Sequence, residues 1–187
     1  MVRLWERSRA AEVLLGLTGL LAFPVTALLL GWLYLATHPT PGRVGYAGEV
    51  GILVVVALLL LGCLVVAAAH EAIHALAMLA VGHTPRLHFE TTPYPLLSLD
   101  RREAVYGRGR FVLVTLAPVV LLTALLVVGV AIGPYAGWLI VPAAFHVTAS
   151  KMDVAYSIVA LRQPAGTQCR IGEDGLEFTE PVDYEVP

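Results

Sequence analysis

The sequence predicts an all-α integral membrane protein: four transmembrane helices, with a small β-like loop and tail on the cytoplasmic side. Three observations lead there. Of the 187 residues, 58% are hydrophobic and only 14% are charged, whereas a soluble domain carries about 25% charged residues. Four apolar segments, 13–36, 51–81, 111–132 and 135–161, are each long enough to cross a hydrocarbon core of about 30 Å at about 1.5 Å per residue. Ten of the twelve basic residues fall in segments that this layout puts on one side of the membrane. The chain is read as a single membrane domain over 1–187. Its composition gives no sign of a nucleic-acid partner; membrane lipid is the expected surrounding.

The first segment follows a basic N-terminus with Arg3, Arg7 and Arg9. Its apolar run is longer than the 7–15 residues of a signal-peptide core, so it reads as a retained span. Pro24 falls inside it, as Pro142 falls inside the fourth span, and membrane helices tolerate proline at kinks. Trp32, Tyr34, Tyr135 and Trp138 lie near span ends, where interfacial aromatics collect. The first loop holds only Arg43. Arg86, Arg101, Arg102, Arg108 and Arg110 lie between spans two and three, and Arg162 and Arg170 follow span four. The positive-inside rule makes that side cytoplasmic, with both termini on it. The expected setting is a prokaryotic cell membrane.

The second segment carries the chemistry. His70-Glu71-Ala72-Ile73-His74 is an HExxH pentad, flanked over 64–69 and 75–79 by residues free of Gly and Pro. The flanks predict helix, and on a helix residues four apart share a face. His70 and His74 can therefore hold one zinc ion, and Glu71 is placed to take a proton from a water on it. Ionisable side chains are costly in a membrane and mark sites by default. Cys63, one residue of the only cysteine pair in the chain, is seven residues before His70 and about 10 Å along the axis, too far to share the ion. Cys169 lies in the tail, and no disulfide is expected between the two.

The loop 82–110 is long for a helical hairpin. Within it, 86–92 alternates weakly and is rich in β-formers, while Pro93 and Pro95 suit an edge strand. The tail 162–187 has an Asp174-Gly175 turn signal between two short runs, which predicts a small hairpin over 167–179. Its acidic end reads as solvated chain.

A catalytic zinc takes three protein ligands and a water. Asp153, a lone carboxylate inside the fourth apolar segment, is the expected third ligand. His74 lies seven residues before the end of span two and Asp153 eight before the end of span four, so both sit about 10–12 Å from the cytoplasmic helix ends. Glu90 and Glu103, in the loop, are the alternatives. An ion pair of Asp153 with Lys151 is disfavoured because residues two apart on a helix diverge. Lys151 is expected to extend its amine to the cytoplasmic interface. His146 is seven residues before Asp153, about 10 Å further out on the same face. It is expected to donate a hydrogen bond to a peptide carbonyl or oxyanion, or to be a satisfied bundle histidine. His83 and His88 are loop residues and not expected ligands.

The chain resembles the membrane-embedded putative zincin peptidases, a family distantly like the site-2 proteases in layout. The resemblance runs from about Leu61 to Phe178. It rests on His70-Glu-Ala-Ile-His74, Thr115-Leu-Ala-Pro118, Ser150-Lys-Met-Asp153 and Asp174-Gly175-Leu-Glu-Phe178. Met152 stands where a Gly is expected, and no LDG-type motif occurs in the later helix. The resemblance implies zinc held by His70, His74 and Asp153, with Glu71 as general base. The expected function is that of an intramembrane zinc metalloprotease hydrolysing peptide bonds of a membrane-protein or peptide substrate near the cytoplasmic face. The rival is a non-proteolytic metal-binding membrane protein or metal transporter.

Overall fold

The computed structural model describes residues 2–5, 9–39, 48–90, 96–100, 104–133, 136–172 and 175–179. In chain order the elements are β1 (Val2–Trp5), α1 (Arg9–Thr37), α2 (Gly48–Ala80), β2 (Arg86–Glu90), β3 (Leu96–Asp100), β4 (Tyr106–Gly107), α3 (Arg108–Ile132), a 3-10 turn (Ala136–Leu139), α4 (Ile140–Ala149), α5 (Lys151–Leu161), β5 (Gln168–Ile171) and β6 (Leu176–Thr179). The protein is mostly helical, and among the described residues three helices are long and apolar enough to cross a membrane: Val13–Thr37, Gly51–Ala80 and Arg108–Ile132. Leu20 and Leu28 on α1, Leu53 and Leu64 on α2, and Leu125 and Ile132 on α3 are exposed. So much apolar surface is unfavourable in water and is solvated by lipid chains in a bilayer. The chain is a membrane protein.

The fourth apolar segment differs from its expected form. It is helical but not one helix: a 3-10 turn and α4 precede a break at Ser150, and α5 follows. The Ser150 N–H and hydroxyl both donate to the His146 carbonyl, at 3.0 and 2.8 Å. That closes the last turn of α4 on itself before α5 begins.

The chain divides into two compact units. The first comprises Met1–Val13, Glu71–Ala117 and Met152–Pro187, and the second Leu14–His70 and Pro118–Lys151. The first unit contains both antiparallel sheets. One is four-stranded in the order β1-β6-β5-β4; the other is the β2-β3 pair. Period-2 alternation sends one row of side chains inward. Tyr106 stands opposite Cys169, and Cys169 opposite Phe178. All three are buried, together with Leu176, against Met78 of α2, Phe111 and Val114 of α3, and Ala160 of α5. On the other face of the same hairpin Arg170 pairs with Glu177, with Nε to Oε2 at 2.9 Å. The tail hairpin is thus formed as expected, although Asp174 lies outside the described residues. Strand β2 takes up the alternating stretch; Pro93 and Pro95 lie outside the described residues. Strand β1 was not expected: four residues are too few to register as a strand. It is nevertheless paired along its length with β6, Val2 opposite Thr179 and Trp5 opposite Leu176.

Helix α2 ends in a Schellman motif. The Gly82 N–H donates to Leu79 at 3.0 Å, and the His83 N–H to Met78 at 2.9 Å, with Gly82 at a φ of 87°. That left-handed conformation is one only glycine adopts cheaply, and it stops the helix shortly after the pentad.

The second unit packs by notches. Without a hydrophobic drive between helices in lipid, close backbone approach at small residues replaces it. A Cβ added at Gly62 would stand 2.9 Å from the Pro142 ring, and one at Gly129 2.9 Å from Leu139. Gly19 of α1 accommodates the Lys151 side chain, whose Nζ would lie 2.8 Å from an added Cβ. Lys151 therefore rests against α1. At the other end of α1 the His38 ring reaches Tyr34 O through Nδ1 and Gly133 O through Nε2, both at 3.1 Å.

Candidate metal centre

The pentad lies on α2, as its flanks require. His74 is fully buried, and His70 and Glu71 are half-buried. The three side chains form a metal-capable cluster in which one donor atom of each lies within 4.8 Å of the others. One helical turn supplies all three, because four residues advance the helix by little more than 360°.

The surroundings of His74 fix its chemistry. Its Nδ1 lies 2.8 Å from the Val114 carbonyl of α3. A carbonyl can only accept, so Nδ1 carries the proton and donates, which leaves the Nε2 lone pair for a metal. Nε2 in turn lies 3.4 Å from Oδ1 of Asp153. Zinc binds His nitrogen at about 2.0–2.1 Å and carboxylate oxygen at about 2.0–2.2 Å in a tetrahedron, so two such ligands stand about 3.4 Å apart. The pair therefore fits one edge of a zinc site. Asp153 is buried in the first turn of α5, where the N-terminal end of the helix dipole favours a carboxylate. One turn further on, the Ser157 hydroxyl meets Thr115 Oγ1 of α3 at 2.6 Å, and Thr115 also donates to the Phe111 carbonyl at 2.9 Å. This buried hydroxyl pair fastens α5 to α3 just beyond Asp153.

His146 lies beside the pentad. In the second unit its Nδ1 lies 3.4 Å from Nδ1 of His70, with the rings edge to face at a centroid separation of 5.2 Å. A buried histidine thus touches the first histidine of the pentad. The contact is with the pentad histidine that lies one helical turn before His74, in keeping with the place of His146 about 10 Å before Asp153 along the chain.

The remaining sequence candidates lie elsewhere. His83 packs its ring on Tyr106 at 4.4 Å. The side chains of His88 and Glu90, and the whole of Glu103, lie outside what is described. Cys63 and Cys169 are free thiols. Burial pushes the Cys169 thiol up to about 11, with Arg108 opposing the shift. The Val114 carbonyl and the Thr115–Ser157 pair were not foreseen as parts of the site.

Comparison with protein families gives one match: the family described as "Putative zincin peptidase" covers residues 63–168, more than half of the chain. The chain belongs to this family. The matched region takes in the pentad, strands β2 to β4, α3, α4 and α5, and it stops short of α1 and β6. No curated protein and no solved structure matches the chain. The zincin class implies zinc, and the His-Glu-His cluster is a donor set suited to it.

Proposed function

We propose that this zincin-family chain is an intramembrane zinc metalloprotease that hydrolyses peptide bonds of membrane-associated substrates near the cytoplasmic face. The observation that carries the reading is the His70–Glu71–His74 cluster on an apolar helix long enough to span. His70, His74 and Asp153 would hold the ion. Bound zinc supplies a Lewis acid that lowers the pKa of water toward 7 and polarises the scissile carbonyl. Glu71 accepts a proton from the attacking water and returns it to the leaving amine. His146, against His70, donates an N–H to the developing oxyanion.

A substrate must be extended to be cut. Among the described residues β2 and β3 pair only with each other, so each keeps one open edge. Strand addition at such an edge orders a peptide by main-chain hydrogen bonds.

The membrane topology of this reading is four crossings with both termini cytoplasmic. The four-stranded sheet supports it. β1 precedes α1, β4 lies between α2 and α3, and β5 and β6 follow α5, yet all four are hydrogen-bonded together. Segments of one sheet lie on one side of a bilayer, so an even number of crossings separates each from the next. If α3 crosses, the segment from the 3-10 turn through α5 must bring the chain back. The arginine distribution then names that side as the cytoplasm.

The test is cleavage of a panel of single-span peptides by the protein in liposomes. Cleavage near their cytoplasmic ends is expected, stopped by chelator and restored by zinc. Glu71→Gln should bind substrate normally and turn over about 10²–10⁴-fold more slowly. Turnover at the wild-type rate in that variant overturns the mechanism. A substrate bound by the zinc-loaded wild type and left uncut points instead to a non-proteolytic binder.

A further inference from the structure

Pro118 lies inside α3 and is fully buried. In an α-helix each N–H donates to the carbonyl four residues earlier, and proline has no N–H. Pro118 therefore withholds from Val114 the donor that any other residue would supply. Its ring also crowds that carbonyl and disfavours its usual alignment with the helix axis. The Val114 oxygen is the one that accepts Nδ1–H of His74, at 2.8 Å. The proline and the histidine thus bear on one atom from two helices.

We propose that Pro118 is a positioning residue for the metal centre. By leaving the Val114 carbonyl free, it holds His74 in the Nδ1–H tautomer and presents Nε2 toward Asp153 and the metal. The inference rests on the reading of His74 as a ligand and deepens it. It gives a chemical reason for proline four residues after Val114: a helix carbonyl already engaged by its own amide is a weaker partner for an imidazole. Any other residue at 118 would bring a second donor to the same oxygen.

The experiment uses the full chain in detergent. Pro118→Val restores the N–H at roughly the volume of the ring, and Pro118→Ala restores it without bulk. Pro24→Ala, in α1 and remote from the pentad in sequence, controls for the gain of a helix amide in a span. Two quantities are read: the zinc Kd, by competition with a chromophoric chelator, and the His74 tautomer in zinc-free protein, by ¹⁵N NMR, assigned from the peaks that His74→Ala removes. The wild type should show the Nδ1–H tautomer alone. Both Pro118 variants should show a mixture of tautomers and a Kd raised about 10–100-fold, the usual consequence of losing an outer hydrogen bond to a metal-ligating histidine. Pro24→Ala should match the wild type in both. A proline that only bends or packs α3 would change thermal stability and leave the tautomer unchanged.

A wild-type His74 protonated on Nε2 overturns the proposal with no variant needed. Wild-type Kd and tautomer in a folded Pro118→Val also overturn it, and leave the metalloprotease reading intact. A wild type with the Nδ1–H tautomer but no zinc binding sinks the metalloprotease reading instead, and the response of the tautomer to Pro118→Val then decides the role of the proline.

Discussion

Asp153→Ala tests the ligand set most directly, because the 3.4 Å between Asp153 and His74 is the edge that a tetrahedral zinc ion would span. A ligand that binds only the folded state stabilises it by RT ln(1 + [L]/Kd), about 2.7 kcal/mol at free zinc 100 times the Kd. For a chain of this size about 1 kcal/mol moves the melting temperature by about 2–4 °C, so the wild type should gain about 5–11 °C. Loss of one of three protein ligands is expected to raise the Kd at least a hundredfold. At the same free zinc the remaining stabilisation is then at most RT ln 2, about 0.4 kcal/mol or about 1–2 °C. The assay is thermal unfolding in detergent at buffered free zinc, with chelator as the reference. His70→Ala and His74→Ala should lose the shift likewise, and Glu71→Gln should keep it, since the glutamate does not bind the ion in this scheme. A full zinc shift in Asp153→Ala refutes the assignment, and its loss in Glu103→Ala or Glu90→Ala would name the carboxylate that replaces it.

Cysteine labelling of intact cells should reach introduced thiols in the 39–48 loop from outside and those in 101–110 only from inside; labelling of both from one side contradicts the four-crossing topology. Cys169 gives a pH prediction. Its thiol is raised on folding, by burial first, to about 11. Folding thus favours the neutral form: the Cys169 contribution to stability is complete below the ordinary thiol pKa and declines as pH rises from there through about 11. Cys169→Ala should flatten that alkaline limb of the stability profile, and Cys169 should resist alkylation at pH 8 until the chain unfolds.

The helix α2 and its pentad were legible because an uninterrupted apolar run without Gly or Pro leaves few alternatives to helix, and HExxH spacing needs nothing else to share a face. The approach of Asp153 to His74 was legible too: the two side chains meet, Nε2 to Oδ1 at 3.4 Å. The segment 135–161 is apolar enough to read as one helix, and its apolar pattern does not mark the interruption at Ser150. The contact of His146 with His70 was not legible, because it depends on how α4 packs against α2 rather than on any spacing along the chain. Backbone partners such as the Val114 carbonyl were invisible for a different reason. Every residue has a carbonyl, and which one is free depends on a missing amide four positions on. Strand β1 was illegible because its β6 partner lies at the other end of the chain, and four residues with a single charge carry no period.

That pairing has a consequence for how the protein is made. In chain order β1 precedes every helix and β6 follows them all, yet the two are hydrogen-bonded neighbours. Until β6 is synthesised, the sheet edge that β1 pairs with does not exist, so β1 must wait through the synthesis of α1 to α5 before it can close the sheet. Asp153, too, arrives long after the pentad. Blocking the pairing edge of Val2–Trp5 would therefore act on a late step of folding, the closing of β1 on β6.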